Sequence, residues 1–102
     1  MSRLEKLESM YQDDPTDEFV CYGLAMEYRS LERHDDALGL FESLVSKEPA
    51  HVPSFFMMGQ MLAEIGKTED AKLALKSGIA AGREQGNDHA VGEMSEFLAT
   101  LD

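Results

Sequence analysis

The chain has 102 residues, 43% of them hydrophobic, with three prolines and eight glycines, which suits one small domain and excludes a low-complexity chain. Twenty acidic against nine basic residues leave a net charge of −11, which opposes phosphate backbones and anionic membranes, so neither nucleic acid nor membrane is an expected partner. No apolar run approaches the ~20 residues that cross a bilayer, and Met1-Ser2-Arg3-Leu4-Glu5-Lys6 leads into no signal-peptide region.

The lone Cys21 cannot form an internal disulfide, and a cytoplasmic location is the expectation. Leu4, Leu7, Met10 and Tyr11 fall at helical spacing and predict a first helix over 2–12, stopped by Asp13-Asp14-Pro15. Thr16 and Asp17 can accept hydrogen bonds from the free N–H groups of a second helix that runs to about Leu31, with Cys21, Leu24, Ala25 and Tyr28 along one face. Arg33-His34-Asp35-Asp36 reads as a turn into a third helix, which carries Ala37, Leu38, Phe41, Leu44 and Val45 and closes near Lys47. Pro49 and Pro53 bracket the entry to a fourth helix with Phe55, Met58, Gly59, Leu62 and Ile65. Gly66 is placed to end that helix and Thr68 to cap the fifth, which holds Ala71, Leu73, Ala74, Leu75, Ile79 and Ala80 and ends before Gly86. Asn87 or Asp88 caps a sixth over 87–101, with Val91, Met94, Leu98 and Leu101 on one stripe and Phe97 beside it. Nothing reads as strand, so the chain is expected to be all-α with about six helices.

A long-period echo runs through these helices. Cys21-x2-Leu24-Ala25-x2-Tyr28, then Ala37-x3-Phe41, recurs 34 residues later as Phe55-x2-Met58-Gly59-x2-Leu62, then Ala71-x3-Leu75. Such a period marks helical hairpins that bury their apolar faces only by stacking. Small residues at Ala25 and Ala37, and at Gly59 and Ala71, let paired helices approach closely, while the large ones fill the gaps. Leu7 and Pro15 extend the same period backwards, and it fails in the last helix, where His89, Gly92, Glu93 and Glu96 hold the signature positions.

The pattern resembles the tetratricopeptide repeat, with Cys21 in place of the signature tryptophan, Pro49 closing the first unit and Arg83 replacing the second closing proline. The resemblance implies a right-handed superhelical stack of antiparallel helix pairs, an α-solenoid, formed by one domain over 1–102. Its parts would be a half-repeat helix at 2–12, repeat 1 at 18–51, repeat 2 at 52–85 and a capping helix at 87–101. Gly78, Gly82 and Gly86 are spaced by four and leave one face bare at the end of the fifth helix. Either a neighbour packs closely there, with Met94, Phe97 or Leu98 as the expected occupants, or the stretch is a hinge.

In the resembling family, ligands lie on helix A residues outside the packing signature. Carried onto this chain, those positions are Phe19, Tyr22, Met26 and Arg29, then Pro53, Phe56, Gln60 and Ala63, with Ala90, Met94 and Phe97 from the last helix. Several are large and apolar without the signature requiring it, which points to an apolar groove anchored by Tyr22 and Phe56 that takes a peptide or partner helix. A terminal helix covering that surface would instead make Phe19, Met57 and Met94 core. A neutral or basic protein partner is expected in view of the acidic charge, and the alternative is a self-associating module with the same surface in a homodimer. Tyr22, Met26, Met57, Asn87 and Val91 stand where chaperone-tail-binding members place Lys and Asn side chains, so that carboxylate clamp is not expected. His34, His51 and His89 share no metal-ligand spacing, and Cys21 sits in the packing signature. The acid pairs fall at helix starts. No enzyme activity, metal or other cofactor is expected.

Overall fold

Six helices, α1 (Arg3–Asp13), α2 (Glu18–Ser30), α3 (His34–Val45), α4 (Val52–Glu64), α5 (Thr68–Glu84) and α6 (Asp88–Ala99), with short connections and no strand, make up the computed structural model over its described residues 1–101. The fold is all-α, a helical repeat. The chain divides into two compact units, residues 1–47 with α1 to α3 and a second unit from Glu48 on with α4 to α6.

Local chemistry sets the helix ends. Ser2 accepts from the Glu5 N–H at 3.1 Å while the Ser2 N–H donates to Glu5 Oε1 at 3.3 Å, a reciprocal box that satisfies two donors at the start of α1. Asp17 caps α2 by accepting from Phe19 and Val20, and Asn87 caps α6 by accepting from Ala90. Thr16 takes no part in capping. Its hydroxyl and N–H both donate to Asp14 Oδ1, and this holds the Asp14 carboxyl below its ordinary pKa. Nor does Thr68 cap α5. It is the first helical residue, preceded by Lys67, which makes no side-chain cap. The cap expected there is absent because the turn after Gly66 is one residue shorter than the sequence suggests.

Three helices close by the same device. Glu32, Gly66 and Gly86 have φ of 60°, 83° and 69°, and the next N–H in each case reaches back across the turn: Arg33 to Tyr28 O at 2.9 Å, Lys67 to Leu62 O and Asn87 to Gly82 O at 2.8 Å. Gly86 thus serves the turn and stands apart from the bare stripe of Gly78 and Gly82, contrary to the sequence expectation; a methyl group there would meet nothing within 4 Å.

In the first unit the echoing residues Cys21, Leu24, Ala25, Ala37 and Phe41 are buried, together with Val20 and Leu44. Cys21 donates its S–H to the Pro15 carbonyl at 3.3 Å, and burial pushes its thiol pKa up. α1 buries no residue completely. Half-buried Leu4 and Leu7, a 2.6 Å hydrogen bond from the Tyr28 hydroxyl to Glu8 and an Arg3–Glu27 pair at 3.0 Å attach it.

In the second unit α4 packs on α5 and α5 on α6. A methyl group at Gly59 would fall 2.8 Å from Leu75 Cγ, so the glycine is what admits that leucine. At Gly78 it would fall 2.5 Å from both Met94 Sδ and Phe55 Cβ, and at Gly82 2.8 Å from Val91 Cγ2. Close packing, by Met94 and Val91, therefore explains the bare stripe. Among the described residues the one buried polar residue, Ser54, is satisfied by His51 Nδ1 at 2.7 Å. Two apolar residues of the fifth helix lie outside the core: Leu73 is 63% exposed and Ala80 is exposed, because the stripe that faces α4 and α6 runs through Ala71, Ala74, Leu75, Gly78, Ile79 and Gly82.

Candidate functional site

On α2 the positions outside the packing signature form one stripe. Phe19 is 83% exposed, and Tyr22, Met26 and Arg29 are half-buried. Tyr22 packs edge-on against Phe41, with ring centroids 6.3 Å apart, and burial raises its hydroxyl pKa, partly offset by the Arg29 charge. Phe19 is thus not core. Its exposure follows from its place in the first turn of α2, on the opposite side of the helix from Cys21 and Ala25.

In the second unit the corresponding α4 positions Phe56, Gln60 and Ala63 are half-buried, and Pro53 is exposed. Phe56 meets Phe97 of α6 edge-on at 6.1 Å between centroids. Between α4 and α6 lies a hollow of about 300 Å³, lined by Val52, Pro53, Phe56 and Met57 on one side and Asn87, His89, Ala90 and Glu93 on the other. A second hollow of about 300 Å³ adjoins it at Phe56, Glu93, Glu96, Phe97 and Thr100. The arrangement is apolar walls with an acidic rim, and His89 lies 3.4 Å from Glu93 at that rim.

Pro53, Phe56, Ala90 and Phe97 come together as the helix A positions suggest. Gln60 and Ala63 lie outside the lining of both hollows. Met94 has to be reassigned. It is wholly buried behind Gly78, where the missing side chain makes room for its sulfur, so it supports the surface from beneath and offers nothing to a partner. Sequence reasoning missed Val52, Met57, His89 and Glu93 as lining residues, since their inclusion depends on how α6 lies against α4. Among the described residues no group of three or more His, Cys, Asp or Glu is placed to hold a metal ion, and no helix is long and apolar enough to cross a membrane.

Helical hairpins that repeat with a 34-residue echo, small residues at the closest approaches within each and apolar residues left over on the first helix of each pair define a helical-repeat protein of the protein-interaction class. The chain is similar to the solution NMR structure of a tetratricopeptide repeat domain protein from Salinibacter ruber, at 30% identity and a TM-score of 0.80 over 87% of this chain and 90% of that one. It is also similar to the solution structure of a protein from Bordetella parapertussis, at 26% identity and a TM-score of 0.83 over 99% of this chain and 88% of that one. No family model and no curated protein matches the sequence. The chain belongs to the tetratricopeptide repeat family. Its fold is in general that of a protein-interaction module and typically of a non-catalytic scaffold.

Proposed function

We propose that the chain is a binding scaffold, without catalytic activity of its own, that takes a peptide or partner helix on the apolar surface of its helix A positions. The observation that carries this reading is the α4–α6 hollow, where Phe56 stays half-exposed beside Phe97 although the repeat signature needs neither there. Aromatic rings held rigidly at a water-accessible hollow are typical anchors of recognition, and they lose little conformational freedom on binding. Phe19 and Tyr22 on α2 extend the same reading to the first unit. The rim carboxylates Glu93 and Glu96 and the net charge of −11 favour a neutral or basic partner. The repeat limits that accompany this proposal are 18–51 and 52–85, flanked by a half-repeat helix at 2–12 and a capping helix at 87–101.

The test is to identify partners by affinity capture from cells that express the protein and to measure Kd for the parent chain and Phe56→Ala. Loss of about tenfold or more in affinity, roughly 1.4 kcal/mol, is expected from removing one anchor. An unchanged Kd contradicts the assignment of this surface. The competing reading, a homodimer through the same surface, is checked by sedimentation velocity across micromolar concentrations, where this proposal expects a monomer.

A further inference from the structure

We propose a second recognition site, in the first unit, where a hollow bounded by α1, α2 and α3 takes an arginine side chain from a basic partner segment. The hollow measures about 550 Å³. Leu24, Leu40 and the rings of Tyr11 and Tyr28 give it apolar walls, and Gly39 widens it, since a methyl group there would meet nothing within 4 Å. Carboxylates reach it from two helices: Glu8 from α1, Asp35 and Asp36 from α3.

The chain's own Arg33 shows the chemistry at one edge, where it engages Tyr28 and Asp36 itself; Glu8, Asp35 and the Tyr11 ring are what a second guanidinium would meet. The Arg33 guanidinium carbon sits 4.5 Å from the centroid of the Tyr28 ring, and its Nε and Nη2 each lie 2.9 Å from Asp36 Oδ2. An aromatic face and a carboxylate edge are the two contacts that a planar guanidinium makes better than an ammonium does. One cation against three carboxylates leaves an excess of negative charge around the hollow, and because Asp35 and Asp36 are exposed the attraction is one that salt weakens. Glu8 is held for the purpose by the Tyr28 hydroxyl, which donates to it at 2.6 Å. The dipole of α3 accounts for acids at its own first turn. It accounts neither for Glu8, which α1 supplies, nor for the missing side chain at position 39. This site shares no residue with the α4–α6 surface, so either can fail alone.

The test is fluorescence anisotropy of a labelled hexa-arginine peptide at low ionic strength, with hexa-lysine as comparator. Gly39→Leu fills the hollow without changing charge, and as an exposed helical glycine it can be replaced with no loss of folding. Asp35→Asn removes one charge inside the hollow, and Asp70→Asn removes one at the start of α5. The proposal expects Gly39→Leu and Asp35→Asn each to weaken binding by about tenfold or more, Asp70→Asn to change it by less than about twofold, and hexa-lysine to bind more weakly than hexa-arginine. Absence of binding, parent-like binding by Gly39→Leu, equal losses in Asp35→Asn and Asp70→Asn, or hexa-lysine equal to hexa-arginine would each overturn it, the last two by revealing diffuse charge attraction.

Discussion

Two glycines in helix interiors have opposite meanings. Helix propensity alone favours alanine over glycine by about 1 kcal/mol at either. At Gly39 space is open, so Gly39→Ala should raise the free energy of unfolding by roughly that amount. At Gly78 the added methyl would stand 2.5 Å from Met94 Sδ and from Phe55 Cβ, and Phe55 cannot yield at its Cβ without moving α4. Gly78→Ala should therefore destabilise by about 1–3 kcal/mol, the usual cost of overpacking, in urea unfolding. Tyr28 is the second residue with a distinct signature. Burial, with the Glu8 hydrogen bond and charge, pushes its hydroxyl from the ordinary 10.0 up to about 12. A folded pKa above the unfolded one means that this contribution to stability is complete below about pH 10 and is lost as pH rises towards 12. Phenolate absorbance should show late ionisation in the folded protein, and Tyr28→Phe should remove the part that rises towards pH 12 while the delayed ionisation of Tyr22 remains.

At the scale of the element, the helix-ending turns carry a correction that the repeat itself contains. Glu32 and Gly66 stand one 34-residue period apart and both adopt positive φ, 60° and 83°. The second repeat uses the residue suited to that conformation, while the first holds a glutamate there at a cost of order 1 kcal/mol. Glu32→Gly should raise the free energy of unfolding by about 0.5–1 kcal/mol, seen as a higher urea midpoint at unchanged m, because relief of strain exceeds the added freedom of the unfolded chain. Gly66→Ala should lower it by a similar amount, about 1 kcal/mol. Glutamate leaves no trace of this in a local reading, since it breaks no helix pattern. Only alignment with Gly66 exposes it. Among side-chain caps, Asp17 and Asn87 were legible and Ser2 was not, and no side chain caps the starts at Arg33, His51 and Lys67.

For the whole molecule, the echo made the family and the cores of both units legible, because a buried face recurs wherever two helices must approach. Cys21, Leu24, Ala25, Ala37 and Phe41 are buried, as are Phe55, Met58, Leu62, Ala71 and Leu75. The surface was legible only in part. Phe56 and Phe97 followed from register, but Met94 went beneath the surface because Gly78 opened a place for it. Glu93 and His89 joined the rim through the setting of α6, which no single helix encodes. The 550 Å³ hollow of the first unit draws on three helices and one absent side chain, so no linear pattern announces it. What the echo separates is packing from leftover apolar surface, and neighbouring phenylalanines test that separation. Phe55 obeys the echo and is buried, whereas Phe56 does not and is half-exposed. The decisive measurement is the free energy of unfolding of Phe55→Ala and Phe56→Ala in urea. The expected loss is about 3–5 kcal/mol for Phe55→Ala and less than about 2 kcal/mol for Phe56→Ala. Equal large losses would contradict it, because Phe56 would then be core, leaving no anchor for a partner.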